Sequence, residues 1–193
     1  MSDLRPDAGV EPGSLLVASP LLGDPNFART VIYVLNHRRE GTIGVVLNRP
    51  SEVTLLDVLP RWSDLASQPR TLFMGGPVDT DTALCLAEVA PGSPGARPER
   101  WTPVSAPVGL TDLDGDPTRL NGEFSRLRIF AGYAGWGSGQ LADELAEGAW
   151  LVVAGHPSDV FTESGANLWR LVLRRQGGRV ALLATYPADP RLN

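Results

Sequence analysis

Two β-rich runs, TVIYVLN at 30–36 and TIGVVL at 42–47, are joined by the five residues HRREG. This pair restricts the chain more than any other stretch. Short β-branched runs on either side of a brief loop containing glycine form an antiparallel hairpin. Pairing Asn36 with Thr42 fixes a register that brings Thr30 beside Asn48 at the open end. Arg29 and Arg49 then lie near each other, close to Asp24.

The remaining pattern is strands first and helices late. SLLVAS at 14–19 reads as a buried strand, and TLFM at 71–74 as a strand ending in Gly75-Gly76-Pro77. TALCLAEV at 82–89 is apolar on both faces, as a central strand is. WTPVSAPVGL reads as an irregular strand, and LRIFAGY (127–133) and AWLVVAG as regular ones. RVALLATY (179–186) reads as a last strand. Helices are expected at TLLDVLPRW with Thr54 as cap, after Asp116 with Pro117 at the first helical position, over 140–147, and over 166–176. PGSPGARPER at 91–100 is a surface loop. Without regular strand–helix alternation, the fold class is α+β, with a mostly antiparallel or mixed sheet. Residues 1–13 are polar and acidic and read as a disordered arm, with one domain over 14–193. That start lacks the plan of a signal peptide, and no run reaches the roughly 18 apolar residues of a membrane helix, so a cytoplasmic, non-membrane protein is expected.

RIFAGYAGWGSGQL at 128–141 carries four glycines within eight positions and invites three chemical templates. A phosphate loop needs lysine after its last glycine, but Ser138 follows Gly137. A dinucleotide fingerprint fits Gly135 and Gly137, but its sixth position is Gln140. A serine elbow around Ser138 needs glycines where Trp136 and Gln140 stand. What survives is a bend between strand and helix, with Ser138 or Gly139 as helix cap and amide groups suited to an anion.

Composition closes further routes. All 17 basic residues are arginine, so lysine Schiff bases and Ser-Lys dyads are excluded. A net charge of −5 disfavours binding along a nucleic-acid backbone. Cys85, the only cysteine, lies in an apolar strand where a thiol is inert. Asp112, Asp114, Asp116 and Glu123 take calcium-loop spacing, but Pro117 stands where that loop needs glycine. No metal and no cofactor is expected. Arg174 and Arg175 read as a solvated face at a helix end.

Several stretches together resemble the YqgE/AlgH family of bacterial proteins: DPNFARTVIYVLNH, GTIGVVLNRP, MGGPV and GYAGWGSGQLADEL, followed by Trp150. Order and spacing agree from about Ser14 to Trp150. The segment from GHPSDVF onward is similar to the actinobacterial branch. The resemblance implies a barrel-like sheet with a few flanking helices. It supplies no catalytic residues, because the family's activity is not established, although some members are described as transcriptional regulators.

The resulting expectation is a non-enzymatic or regulatory protein that binds a small anion or a protein partner. Arg29, Asn48 and Arg49 form one wall of the site, and Gly135, Gly137, Ser138, Gly139 and Gln140 the other. The rival is a hydrolase-type enzyme using His37 or His156 with a carboxylate such as Asp159. Direct DNA-binding regulation is the third reading, and the acidic charge without a helix-turn-helix pattern opposes it.

Overall fold

The computed structural model describes residues 9–92, 100–120 and 122–187. Along these residues run β1 (Ser14–Ala18), β2 (Val31–Arg38), β3 (Gly41–Val46), β4 (Pro50–Thr54), α1 (Leu55–Val58), α2 (Pro60–Ser63), β5 (Thr71–Met74) and β6 (Val78–Val89). They are followed by β7 (Trp101–Ser105), β8 (Val108–Thr111), a 3-10 turn (Pro117–Leu120), β9 (Phe124–Gly137), α3 (Gln140–Ala146), β10 (Trp150–Ala154), α4 (Pro157–Val160), α5 (Gly165–Arg175) and α6 (Gly178–Leu183). The strands lie in the order β10-β1-β2-β3-β9-β6-β8-β7, with β4 and β5 attached beside β9. Every pairing is antiparallel except β5 with β9. The sheet curls into a half barrel, and Gly13, ahead of β1, packs against Ser105 at the end of β7. The protein is α+β, as the order of runs predicts.

Alternation along the strands divides the core by face. Leu15, Val17, Val31, Tyr33, Val45, Leu47 and Phe130 fill the concave side, where Leu168, Trp169, Val172 and Leu173 of α5 close one mouth. Their spacing of three and four puts one apolar stripe of α5 inward. On the convex side, Leu16, Ile32, Val34, Val46 and Trp136 are covered by Leu141 of α3. Farther along, Cys85, Ala87, Leu127 and Ile129 are covered by Leu55 and Trp62 of α1 and α2. Each fully buried aliphatic side chain contributes about 1.5–3 kcal/mol, so the two faces specify the curl jointly.

The hairpin departs from the expected register at its loop. Ile32 pairs with Val46 and Tyr33 with Val45, which does bring Thr30 level with Asn48, but Asn36 pairs with Ile43 and His37 with Thr42. A bulge between Val34 and Asn36 absorbs the extra residue. Residues opposite one another share a face. Ile43 lies two positions from the inward Val45, so its partner Asn36 is turned to the concave side, and Arg38 with it. His37 goes to the convex side with Thr42. Without the bulge these assignments would be reversed.

Two glycine motifs meet at one crossing. β5 runs along one edge of β9 (Phe73 with Phe130, Met74 with Ala131), whereas β6 occupies the other edge, with Val78 opposite Tyr133. Gly75-Gly76-Pro77 carries the chain across. A Cβ on Gly75 would lie 2.2 Å from the Gly132 carbonyl oxygen, and one on Gly76 would lie 2.2 Å from the Tyr133 carbonyl. Gly132 itself has φ +67°. Only glycine allows the two backbones to approach so closely.

Other expectations need correction. The 132–137 stretch is the end of a 14-residue strand, so the bend is confined to Ser138 and Gly139. Residues 179–186 do not form a strand. Gly178–Leu183 is helical, with Val180, Leu183 and Ala184 turned to the core and Leu182 exposed. A short apolar run has no decisive period, and its Ala and Leu residues favour helix. WTPVSAPVGL is a hairpin of two strands, and the helix expected after Asp116 is a single 3-10 turn. Of the 91–100 loop, residues 93–99 lie outside the described residues, as do 1–8 of the expected arm and 188–193 of the tail. Within that arm Val10 is buried, and the Gly13 amide donates to the Val34 carbonyl at 2.8 Å.

Candidate functional site

At the open end of the hairpin the expected polar wall is spent on backbone. Asn48 accepts from the Val31 amide (2.9 Å) and donates to the Arg29 carbonyl (2.9 Å), replacing the ladder where the strands diverge. Arg49 donates to the Ala28 carbonyl at 3.0 Å. Arg29, held at φ +57°, points away from Arg49. Its guanidinium lies over the Trp169 ring at 4.6 Å and donates to the carbonyls of Tyr186 and Pro187. Burial and the nearby Arg170 charge lower its pKa. Asp24 closes its own turn by accepting from the Asn26 amide. These groups tie the 24–29 turn and the chain's later helices to the sheet.

The 132–140 stretch lies elsewhere. Gly135 pairs with Ile43 and Gly137 with Gly41, so the turn sits beside the hairpin's closed end, with the length of β3 between it and Asn48. The two expected walls are therefore at opposite ends of one strand. Gln140 accepts from the Gly137 amide (3.0 Å) and donates to Glu144 (3.0 Å). The other Glu144 carboxylate oxygen accepts from the indoles of Trp136 (2.9 Å) and Trp150 (2.7 Å). Phe27 packs on both indoles, with ring centroids 6.2 and 5.7 Å away. Separate sequence motifs thus converge in one aromatic cluster closed by a carboxylate.

The expected catalytic pairings are also committed. Asp159 accepts from the backbone amide of His156 (2.8 Å) and from Arg175 (2.6 Å), and Arg175 also reaches the Ala154 carbonyl. Arg175 is therefore a tie between α4, α5 and β10, correcting its assignment to a solvated face. His37 Nδ1 lies 2.7 Å from Thr42 Oγ1. Cys85 is buried, and burial pushes its thiol pKa well up. Asp112 pairs with Arg100 and Asp116 with Arg61, each across the surface.

The closed end differs. A cavity of about 330 Å³ lies between the β2–β3 loop and the start of α3, lined by His37, Arg38, Arg39, Gly137, Ser138 and Gly139 among others. Two more cavities, of about 530 and 430 Å³, share Asn36, Arg38, Ile43 and Tyr133, and the larger lies on the concave side. Arg38 lines all three. Among the described residues neither Arg38 nor Arg39 has an ion pair or a hydrogen-bonded side-chain partner.

A family profile described as AlgH-like matches residues 15–181. The chain belongs to the AlgH-like family. A UPF0301 protein of Streptomyces coelicolor is 54% identical over 182 residues, covering 94% of each chain. One from Mycolicibacterium smegmatis is 46% identical over 184 residues, covering 95% of this chain and 92% of its own. The crystal structure of a Corynebacterium diphtheriae protein superposes with a TM-score of 0.86 at 33% identity, covering 96% of this chain and all of that one. The solution structure of AlgH from Pseudomonas aeruginosa gives 0.66 at 27% identity, covering 98% of both. Among the described residues no helix is long and apolar enough to cross a membrane.

In this AlgH-like chain the sequence reading passed over two arginine environments. Arg38 and Arg39 were read only as part of the HRREG loop that joins the two hairpin strands. Arg128, in β9, is 2% exposed. It donates to the carbonyls of Val160 (2.9 Å), Thr162 (2.8 Å) and Gln68 (2.7 Å) and lies 4.3 Å from the Phe73 ring. Burial pulls its pKa down to about 10, against a small opposing pull from Glu163. An arginine within an otherwise apolar run (LRIFAG) was the available signal for such a buried clamp.

Proposed function

We propose that this AlgH-like protein is a non-enzymatic binder of a small anionic ligand, seated at the closed end of the β2–β3 hairpin. Arg38 and Arg39 carry the charge recognition, with Ser138 and the Gly137–Gly139 turn as the facing wall. The observation behind this reading is the pair of guanidiniums without carboxylate partners among the described residues, beside a cavity of about 330 Å³. Guanidinium groups bind carboxylate and phosphate oxygens by paired N–H donors, and such bonds are stronger than neutral ones. Arg29, Asn48 and Arg49 take the structural part at the other end. Gln140, engaged with Gly137 and Glu144, shapes the turn.

The test is an NMR titration of the full chain with citrate and with inorganic phosphate. Saturable shifts centred on the amides of 37–41 and 137–142 are expected, and they should disappear in an Arg38→Ala/Arg39→Ala variant with an otherwise unchanged spectrum. Shifts centred on Arg29 and Arg49, or none at millimolar ligand, would overturn the reading.

A further inference from the structure

The half barrel has two mouths, and they differ. One is closed by α4 and α5, whose Val160, Phe161, Leu168 and Trp169 join the inner core. Gly165 lies there against Asn48 and Pro50, level with the open end of the hairpin. At the opposite mouth no helix among the described residues covers the concave face. Leu35, Ile43, Leu84, Val104 and Leu110 instead line a cavity of about 530 Å³. Leu84, Val104 and Leu110 pack against the inner core from below, and Leu35 is 8% exposed. A curled sheet whose core is continuous with an uncovered apolar cup resembles barrel interiors that hold a single small ligand, and the volume falls within the roughly 300–1,000 Å³ of such sites.

The polar groups at this mouth are few and placed by one backbone irregularity. The bulge in β2 turns both Asn36 and Arg38 to the concave side, and both line the cup. Bulges of this kind re-aim side chains next to functional sites. Tyr133 Oη, at the rim, donates to Asp79 at 3.2 Å. Glu40 lines the adjoining cavity of about 430 Å³. Among the described residues neither acid is paired with Arg38. The cup therefore presents an apolar floor and one uncompensated positive charge at its lip.

We infer that this mouth binds the apolar body of an amphipathic carboxylate, with its charged head on Arg38 and the Asn36 amide beside it. The inference rests on the reading above that the hairpin loop takes an anion, and it names the ligand class: a medium-chain fatty carboxylate or one of similar shape. An inorganic or fully polar anion would leave the cup empty. A neutral apolar molecule would leave Arg38 without a partner.

Titration of the full chain with a series from hexanoate to dodecanoate, with decanol and with inorganic phosphate, tests it. Affinity is expected to rise up to about fourfold per methylene until the cup is full, as burial of each CH₂ requires. Decanoate is expected to bind about tenfold more tightly than decanol, and Arg38→Ala to remove that difference while leaving decanol unaffected. Val104→Trp, which fills the cup from the edge strand, is expected to abolish decanoate binding while phosphate shifts at the loop persist. Should that variant not fold, nuclear Overhauser contacts from decanoate methylenes to the Leu84 and Leu110 methyls of the unaltered chain give the same answer. Phosphate binding without decanoate binding would overturn this inference and leave the anion reading standing. Decanoate binding no tighter than decanol and unaffected by Val104→Trp would also overturn it, as partitioning onto the surface. Failure of every anion would overturn both.

Discussion

The two ends of the β2–β3 hairpin carry the same kind of residue in opposite circumstances. At the open end, Arg29 and Arg49 donate to the carbonyls of Tyr186, Pro187 and Ala28, and Asn48 bridges the diverging strands. At the closed end, Arg38 and Arg39 have no such acceptors among the described residues and border cavities. A guanidinium that donates to main-chain carbonyls organises structure, because removing it strands the acceptors. One that meets none is available to something else. Proximity to glycine-rich or polar sequence does not separate these cases, but the hydrogen-bond inventory does.

The sharpest break of this comparison is Arg128, the most committed arginine of all. Arg128→Met strands the carbonyl oxygens of Val160, Thr162 and Gln68 beneath a buried side chain and is expected to cost about 3–5 kcal/mol. Urea unfolding would read this as a lower midpoint at unchanged slope. A loss under about 1 kcal/mol would show that donation to carbonyls does not measure structural commitment. At the open end, Asn48→Ala removes one acceptor and one donor, for an expected loss of about 2 kcal/mol. Anion binding at the closed end should stay unchanged, and calorimetric titration with citrate would check both halves of that statement. Smallest is Arg38→Ala/Arg39→Ala, expected to change stability by no more than about 0.5 kcal/mol, as for exposed positions without partners. A thermal midpoint several degrees lower in that variant would mean the closed end is as structural as the open one.

Much of the fold is legible in local chemistry. Thr54 does cap α1, its hydroxyl accepting from the Asp57 amide at 3.3 Å. Short, largely apolar runs mark β1, β2, β3 and β5, and spacing of three and four marks α5. The failures share a cause. The 179–186 run is short and apolar, so strand and helix patterns coincide until packing against α5 and the inner core decides. The residues after Tyr133 were expected to bend because glycine permits it. Gly132 is required because Gly76 and Val78, more than fifty residues away in the chain, cross β9 closely there. The aromatic cluster of Phe27, Trp136 and Trp150 on Glu144 was present in the sequence only as scattered motifs.

For the candidate site, the sequence expected the 135–140 turn to face Arg29, Asn48 and Arg49, and the structure places the two groups at opposite ends of β3. Gly137, Ser138 and Gly139 do border a cavity, but with Arg38 and Arg39, not with Arg29, Asn48 and Arg49. The two groups are apart because β3 pairs with β9 through Gly41–Gly137 and Ile43–Gly135, at the closed end of the hairpin. An unbroken ladder puts His37 on the concave face and Arg38 on the convex one, and the bulge exchanges them.

By itself, the sequence determined the α+β class, the hairpin, the absence of lysine chemistry and the AlgH-like signature, because each follows from residue type and near-neighbour spacing. Only the tertiary structure decided which arginines are free, where the glycines must be and which mouth of the half barrel stays open. Those depend on contacts between distant segments, and no local period encodes them.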